Sequence, residues 1–156
     1  MEPGRILQFL QALEREKVEY VLVGAVALSV QGIVRATQAI DIFVRPEPDN
    51  VERLKRALRA VWDDPEIDGI QFADLAGEYP AIRYGPPDGD LVIDLMTRLG
   101  EAYQFEDLKA ETIPWEGVHV RVATPETLYR MKKGTIRPQD QADAANLRLR
   151  FNIQER

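Results

Sequence analysis

Cysteine is absent from the 156 residues, and histidine occurs once, as His119. The first absence excludes disulfides and thiolate metal sites. The second argues against histidine-based zinc centres and against a serine–histidine triad. Long apolar runs are missing as well, since none approaches the roughly 20 residues that a membrane-spanning helix needs. The segment from Met1 to Glu16 carries Glu and Arg where a secretory leader would carry an apolar stretch. A cytoplasmic protein with no membrane partner is therefore expected. Any metal chemistry must rest on oxygen ligands, which favours a hard cation such as Mg²⁺.

What is present describes an ordinary globule. Hydrophobic residues make up 45% and charged residues 29% of the chain, so disordered and fibrous classes are excluded. The length predicts one domain over residues 1–156, with a core over about 18–100 and a C-terminal hairpin with helices over about 108–150. Charge is uneven. Residues 1–120 hold 12 basic and 22 acidic side chains, whereas residues 121–156 hold 8 basic and 4 acidic ones. An acidic body does not suit a general nucleic-acid binder, but the basic C-terminal segment can face a phosphate-bearing ligand or simply be a solvated helix face.

Hydrophobic spacing predicts a helix over 3–17 from Ile6, Leu7, Leu10 and Leu13, then a buried strand at Tyr20–Val23 ending at Gly24. A short helix follows between Gly24 and Gly32. A second strand covers Ile40–Val44. Asp49 as N-cap with Glu52 three residues on predicts a capping box opening a helix whose inward stripe is Val51, Leu54, Leu58 and Val61. Strands at 81–84 and 91–96 are joined through Gly85-Pro86-Pro87-Asp88-Gly89 as a hairpin. A second hairpin runs from Glu111–Ile113 to Val118–Val122. Thr124 with Pro125 opens a helix to about Lys133. The last helix starts near Pro138 and carries Ala142, Ala145, Leu147 and Leu149. This order implies an α/β (α+β) domain with a mixed sheet flanked by helices.

Two carboxylates, Asp41 and Asp94, sit inside otherwise apolar strands. A carboxylate there is costly unless it is paired, hydrogen-bonded or metal-bound. Alternation places each Asp on the face opposite its immediate neighbours, so two adjacent strands would let both converge on one cation. The ordinary alternative is a solvated face on a one-sided sheet. Upstream, Gly24-Ala25 joins a strand end to a helix start, a junction that can offer backbone N–H groups to phosphate but is more often only structural.

The stretch Gly24-Ala25-Val26-Ala27, Gly32, Arg35-Ala36-Thr37 and Ile40-Asp41-Ile42-Phe43-Val44 resembles the minimal nucleotidyltransferases of the polymerase-β superfamily. It is most similar to the branch containing nucleotidyltransferase toxins of type IV abortive-infection systems. Asp94 in Leu91-Val92-Ile93-Asp94-Leu95 matches the later-strand Asp of that pattern. The tail resembles it too, through Thr124-Pro125-Glu126, Lys132, Arg137-Pro138-Gln139-Asp140 and Asp143. The resemblance implies a nucleotidyltransferase fold and Mg²⁺- (or Mn²⁺-) dependent transfer of a nucleoside monophosphate from a nucleoside triphosphate to an acceptor hydroxyl. It implies metal ligation by Asp41 and Asp94, with Asp94 also helping to deprotonate the acceptor. It further implies nucleotide contacts from Gly24, Ala25, Arg35, Thr37 and Lys132. Asp140 and Asp143 are read first as fixing the last two helices.

One position departs from the pattern. The family places a first catalytic Asp two residues before Asp41, where this chain has Ala39. Residues 39 and 41 share a strand face, so a metal ligand is missing and the chain as given is expected to be inactive. Ala39 is either an engineered silencing or a natural feature of a non-catalytic member, and the intact Asp41, Asp94 and Lys132 favour the first. The resemblance also implies an acceptor such as RNA or tRNA ends and a cognate antitoxin protein, with protein or small-molecule acceptors left open. The competing reading is a nucleotide- or partner-binding pseudoenzyme, antitoxin-like in role. His119 is read as exposed, Trp62 as core and Trp115 as a hairpin-turn aromatic.

Overall fold

The computed structural model describes residues 3–35, 37, 39–76, 81–87, 89–99 and 103–154. Ala36 and Asp88, which the motif and turn readings include, lie outside the described residues. In chain order the elements are α1 (Pro3–Arg15), β1 (Tyr20–Val23), α2 (Gly24–Val30), β2 (Ala39–Val44) and α3 (Pro48–Val61). After a 3₁₀ turn at Pro65–Gly69 come α4 (Phe72–Ala76), β3 (Ala81–Tyr84) and β4 (Val92–Met96). The short strands β5 (Arg98–Leu99) and β6 (Tyr103–Gln104) precede a second 3₁₀ turn. The chain then runs through β7 (Ala110–Trp115), β8 (Val118–Ala123), α5 (Pro125–Lys133) and α6 (Pro138–Phe151).

Six strands form one mixed sheet in the order β3-β4-β2-β1-β8-β7, and β5 pairs with β6 in a small second sheet. The centre of the large sheet follows from the sequence. All four residues of β1 are buried, as a continuous apolar run requires in a strand covered on both faces. It lies antiparallel to β2 and parallel to β8. Strand β2 runs parallel to β4, while β3–β4 and β7–β8 are the two expected hairpins. Ile40 and Ile42 of β2 and Ile93 and Leu95 of β4 are fully buried. Their alternates, Ala39, Asp41, Val92 and Asp94, face the other way and are half-buried.

Helix α1 buries Ile6, Phe9, Leu10 and Leu13 and packs against α3, whose stripe Val51, Leu54 and Leu58 is buried as expected. Val61 is only partly buried, and Trp62 takes over at the end of the stripe, 5.9 Å from the Phe9 ring and 6.3 Å from the Tyr84 ring. Trp62 is thus core. His119 is exposed and contacts Glu14 at 3.1 Å. The Thr124 hydroxyl accepts from the Thr127 N–H with Pro125 at the first helical position, so α5 begins where the sequence places it.

One expectation is corrected. Asp49 is not the N-cap: α3 starts at Pro48 with Glu47 before it, and no side chain caps it. Proline at the first turn fixes the backbone angle there, so the helix opens without a capping box. The polar residue that matters is Asn50, which is fully buried. Its Oδ1 accepts from the Glu19 N–H at 2.8 Å, and its Nδ2 donates to the Glu19 and Arg45 carbonyls at 2.9 and 3.0 Å. One side chain therefore ties α3 to the start of β1 and the end of β2. Of the four apolar residues named on α6, Leu147 faces inward but Ala142, Ala145 and Leu149 do not. Those three are exposed, and the buried face consists of Asp140, Asp143, Ala144 and Leu147. Helix α4, the 3₁₀ turns and the β5–β6 pair are additions that the sequence reading did not contain.

Replacing Asn50 with Ala removes the acceptor of the Glu19 N–H, while the Glu19 and Arg45 carbonyls keep the Arg45 and Glu47 N–H groups, so it is expected to cost about 2 kcal/mol in urea unfolding. Asp49→Ala should cost less than about 1 kcal/mol, because it removes no cap. Equal losses for the two variants would contradict this account of how α3 is anchored.

Candidate active site

Parallel pairing of β2 with β4 sets Asp41 directly across from Asp94, and antiparallel β3 sets Arg83 across from Asp94. Neighbouring strands lie about 4.8 Å apart, and cross-strand partners point to the same face. Three side chains from three strands thus form a row, Asp41, Asp94 and Arg83. The Arg83 Nε donates to Asp94 Oδ1 at 2.9 Å and its Nη2 to Oδ2 at 3.4 Å. The Asp41 carboxyl is pushed up to about 6, first by burial, then by the Asp94 charge and a hydrogen bond with Asp94. Lys132 and Arg83 act in the opposite direction but do not cancel it.

Gly24 sits on the other side of Asp41. Val23 pairs with Asp41, and the next residue enters α2 with φ of +74°. A Cβ at position 24 would stand 2.1 Å from Asp41 Oδ2. Glycine is required there for both the positive φ and the approach. Ala25 follows in the first turn of α2, half-buried. Because α2 is only seven residues long, its contribution to the site is this close packing onto the carboxylate.

Thr37 and Ala39 are joined through their own backbone. The Ala39 N–H donates to Thr37 Oγ1 at 3.1 Å, and that hydroxyl lies 3.2 Å from the Ala39 carbonyl. Thr37 therefore fixes the first residue of β2. Ala39 pairs with Val92 and shares the face of Asp41. The position where the resemblance expects a carboxylate holds a methyl group beside a valine.

Arg35 and Lys132 meet at one buried carboxylate. Asp143 accepts from Arg35 Nη1 at 2.5 Å, from Lys132 Nζ at 3.0 Å and from Gln139 Nε2 at 3.1 Å. Asp140 accepts from Lys132 at 3.2 Å and Thr135 at 2.8 Å, with Arg137 3.7 Å away. Burial on its own would raise both carboxyls, but the hydrogen bonds from Arg35 and Lys132 to Asp143, and from Thr135 and Lys132 to Asp140, hold them below the usual carboxylate range. Asp140 and Asp143 thus join α5 to α6 and also hold the loop carrying Arg35. Lys132 stands between this cluster and Asp41, near enough to act on the Asp41 charge.

The residues fit one hard divalent cation. Asp41 and Asp94 supply oxygen donors from adjacent strands, which suits Mg²⁺ or Mn²⁺. No cluster of three or more potential metal-ligating side chains exists among the described residues, so the donor set falls short of the three carboxylates that a two-ion site uses. Arg83 is the residue the sequence reading missed. A charged residue alternating along a hairpin strand reads as solvated, and only the register exposes its partner. A cavity of about 590 Å³ lies elsewhere, beside α5 and Lys109, and none of the row carboxylates lines it.

Residues 8–148 match the family described as nucleotidyl transferase AbiEii toxin, type IV TA system. No curated protein matches the chain. Among solved structures, the lincosamide antibiotic adenylyltransferase LnuA with lincomycin bound aligns at TM-score 0.61 and 12% identity, over 95% of this chain and 97% of that one. ANT(2″)-Ia in complex with adenylyl-2″-tobramycin aligns at TM-score 0.57 and 14% identity, over 96% and 88%. A Thermotoga maritima protein described as a nucleotidyltransferase aligns at TM-score 0.54 and 14% identity, over 97% and 96%. At these identities the likeness speaks to the fold. No described helix is long and apolar enough to cross a membrane.

The raised Asp41 carboxyl carries a sign. Its folded value of about 6 exceeds the ordinary 3.8, so its contribution to stability is complete below about pH 4 and is lost as pH rises through 6. In metal-free solution, the stability of the chain relative to Asp41→Asn should fall by on the order of 2 kcal/mol between about pH 4 and 7. A difference that stays flat across that range would contradict the row geometry.

Proposed function

This chain belongs to the AbiEii nucleotidyl transferase toxin family of type IV toxin–antitoxin systems, and from that membership we propose that its site transfers a nucleoside monophosphate from a nucleoside triphosphate to an acceptor hydroxyl. The observation that carries this reading is the cross-strand placement of Asp41 and Asp94, with Gly24 packed against the first and Lys132 facing it. In the transfer, the acceptor oxygen forms a bond to the α-phosphorus, the bond from that phosphorus to the pyrophosphate oxygen breaks, and the acceptor proton passes to the Asp94 carboxylate. Phosphoryl chemistry asks mainly for alignment and charge neutralisation. A divalent ion, Mg²⁺ or Mn²⁺, would be held by Asp41 and Asp94, and bound there it supplies positive charge to the phosphates.

The chain's own residues do the positioning. Gly24 lets α2 close onto Asp41. Lys132 brings an ammonium to the same side, held in place by Asp140 and Asp143. Arg35 is anchored to Asp143 and stands ready to meet an anionic ligand at the mouth of the Thr37–Ala39 segment. Thr37 sets the backbone of β2. The methyl of Ala39 leaves the site one carboxylate short, which weakens ion binding and slows turnover. We take RNA, including tRNA ends, as the acceptor, supported by the net positive charge of residues 121–156, and a cognate antitoxin as the partner, supported by the family.

The Ala39 position also supports a second reading, a pseudoenzyme that binds nucleotide without turnover. One comparison separates the two. The chain and its Ala39→Asp version are incubated with Mg²⁺, labelled nucleoside triphosphates and total cellular RNA. Label transfer by Ala39→Asp at least about a hundredfold faster than by the chain itself is expected, since a missing bridging ligand removes several kcal/mol of transition-state stabilisation. Nucleotide binding by both with label transfer by neither would establish the pseudoenzyme instead.

A further inference from the structure

The row Asp41, Asp94 and Arg83 contains a cation already built into the protein. Arg83 grips both oxygens of Asp94 through Nε and Nη2, yet its side chain is 75% exposed while that of Asp94 is 21% exposed. The guanidinium is thus fixed at one edge by the carboxylate, and its remaining N–H groups point out to solvent. Ala39, on the same face, has removed one negative charge from the place where the resemblance expects it.

Resting on the nucleotidyl-transfer reading above, we propose that Arg83 takes the place of a second divalent cation, so that this site works with one bound ion and one guanidinium. The charge balance favours this pairing. Three carboxylates with two divalent ions present one net positive charge to the triphosphate. Asp41, Asp94, Arg83 and a single divalent ion present the same net charge. Two ions beside Arg83 with only two carboxylates would leave three positive charges crowded together, with no anion at position 39 to bridge them. A guanidinium suits the role because it stays charged, is weakly hydrated and makes bidentate contacts to phosphate oxygens. Anchoring on Asp94 also limits the rotamer freedom it loses when a ligand binds. Register sets the placement, because Arg83 pairs with Asp94 and Asp94 with Asp41.

The test uses the full chain with a non-hydrolysable α,β-methylene nucleoside triphosphate. Bound Mn²⁺ is counted by the loss of the free-ion paramagnetic resonance signal, and triphosphate affinity is measured by calorimetry. One Mn²⁺ per chain is expected, rising to two in Ala39→Asp. Arg83→Ala should weaken triphosphate binding about tenfold in the chain as it stands, with partial recovery in Arg83→Lys. In the Ala39→Asp background the same Arg83→Ala change should weaken it less than about threefold. Circular dichroism of each variant reports whether it folds, and the exposed Arg83 can be removed without emptying the core. Two Mn²⁺ per unaltered chain, or an equal loss from Arg83→Ala in both backgrounds, would overturn the inference while leaving nucleotidyl transfer standing. Failure of every form to bind triphosphate would remove both.

Discussion

Repulsion between two carboxylates on adjacent parallel strands is the constraint around which this structure is arranged. Asp41 and Asp94 are paired by the β2–β4 register, and their neighbours along each strand are fully buried isoleucines and a leucine. Neither side chain can move to the other face without turning those apolar residues out of the core. The charge is therefore compensated from the sides. Arg83 approaches from β3 and Lys132 from α5, and against them burial first, then the Asp94 charge, keeps the Asp41 carboxyl raised. Gly24 completes the enclosure by bringing backbone up to the Asp41 oxygen where a side chain would collide.

The two C-terminal helices belong to this arrangement. Lys132 is mostly buried, and Asp143 almost wholly so. Around Asp143, a loop residue from the first quarter of the chain and a helix residue from the last quarter share one carboxylate. Taking such a carboxylate out of water is costly, and with its donors in place the cost is offset. The basic character of residues 121–156 is thus of two kinds. Lys132 is committed inward, while Arg130, Arg137, Arg148 and Arg150 stay exposed.

Much of the fold was legible because local chemistry and tertiary packing agree. The run Tyr20–Val23 could only be a central strand, the Gly-Pro-rich turn after Tyr84 could only reverse the chain, and Thr124-Pro125 marked a helix start that the hydroxyl does cap. Polar groups inside the fold were read unevenly. On α6, Asp140 and Asp143 were legible as residues that fix the last two helices, and they take its buried face where they answer Lys132 and Arg35. At α3 a sequence pattern for capping was present, but Pro48 starts the helix two residues earlier and Asn50 turns inward to bond three backbone groups. The two site carboxylates were legible as misfits in apolar strands. Their guanidinium neighbour was not, because the partner of an exposed strand residue is set by register, which no single strand encodes.

The place of β1 in the sheet also orders events during synthesis. It lies between β2, which follows it closely, and β8, which lies about a hundred residues further on. As the chain leaves the ribosome, β1 can pair on one edge at once, while its other edge stays open until β8 emerges. The contacts of Asp143 with Arg35 and Lys132 wait for α6. A growing chain can thus align its two strand carboxylates and Arg83 early, but Lys132 and Arg35 gain their anchor only once α6 has been made.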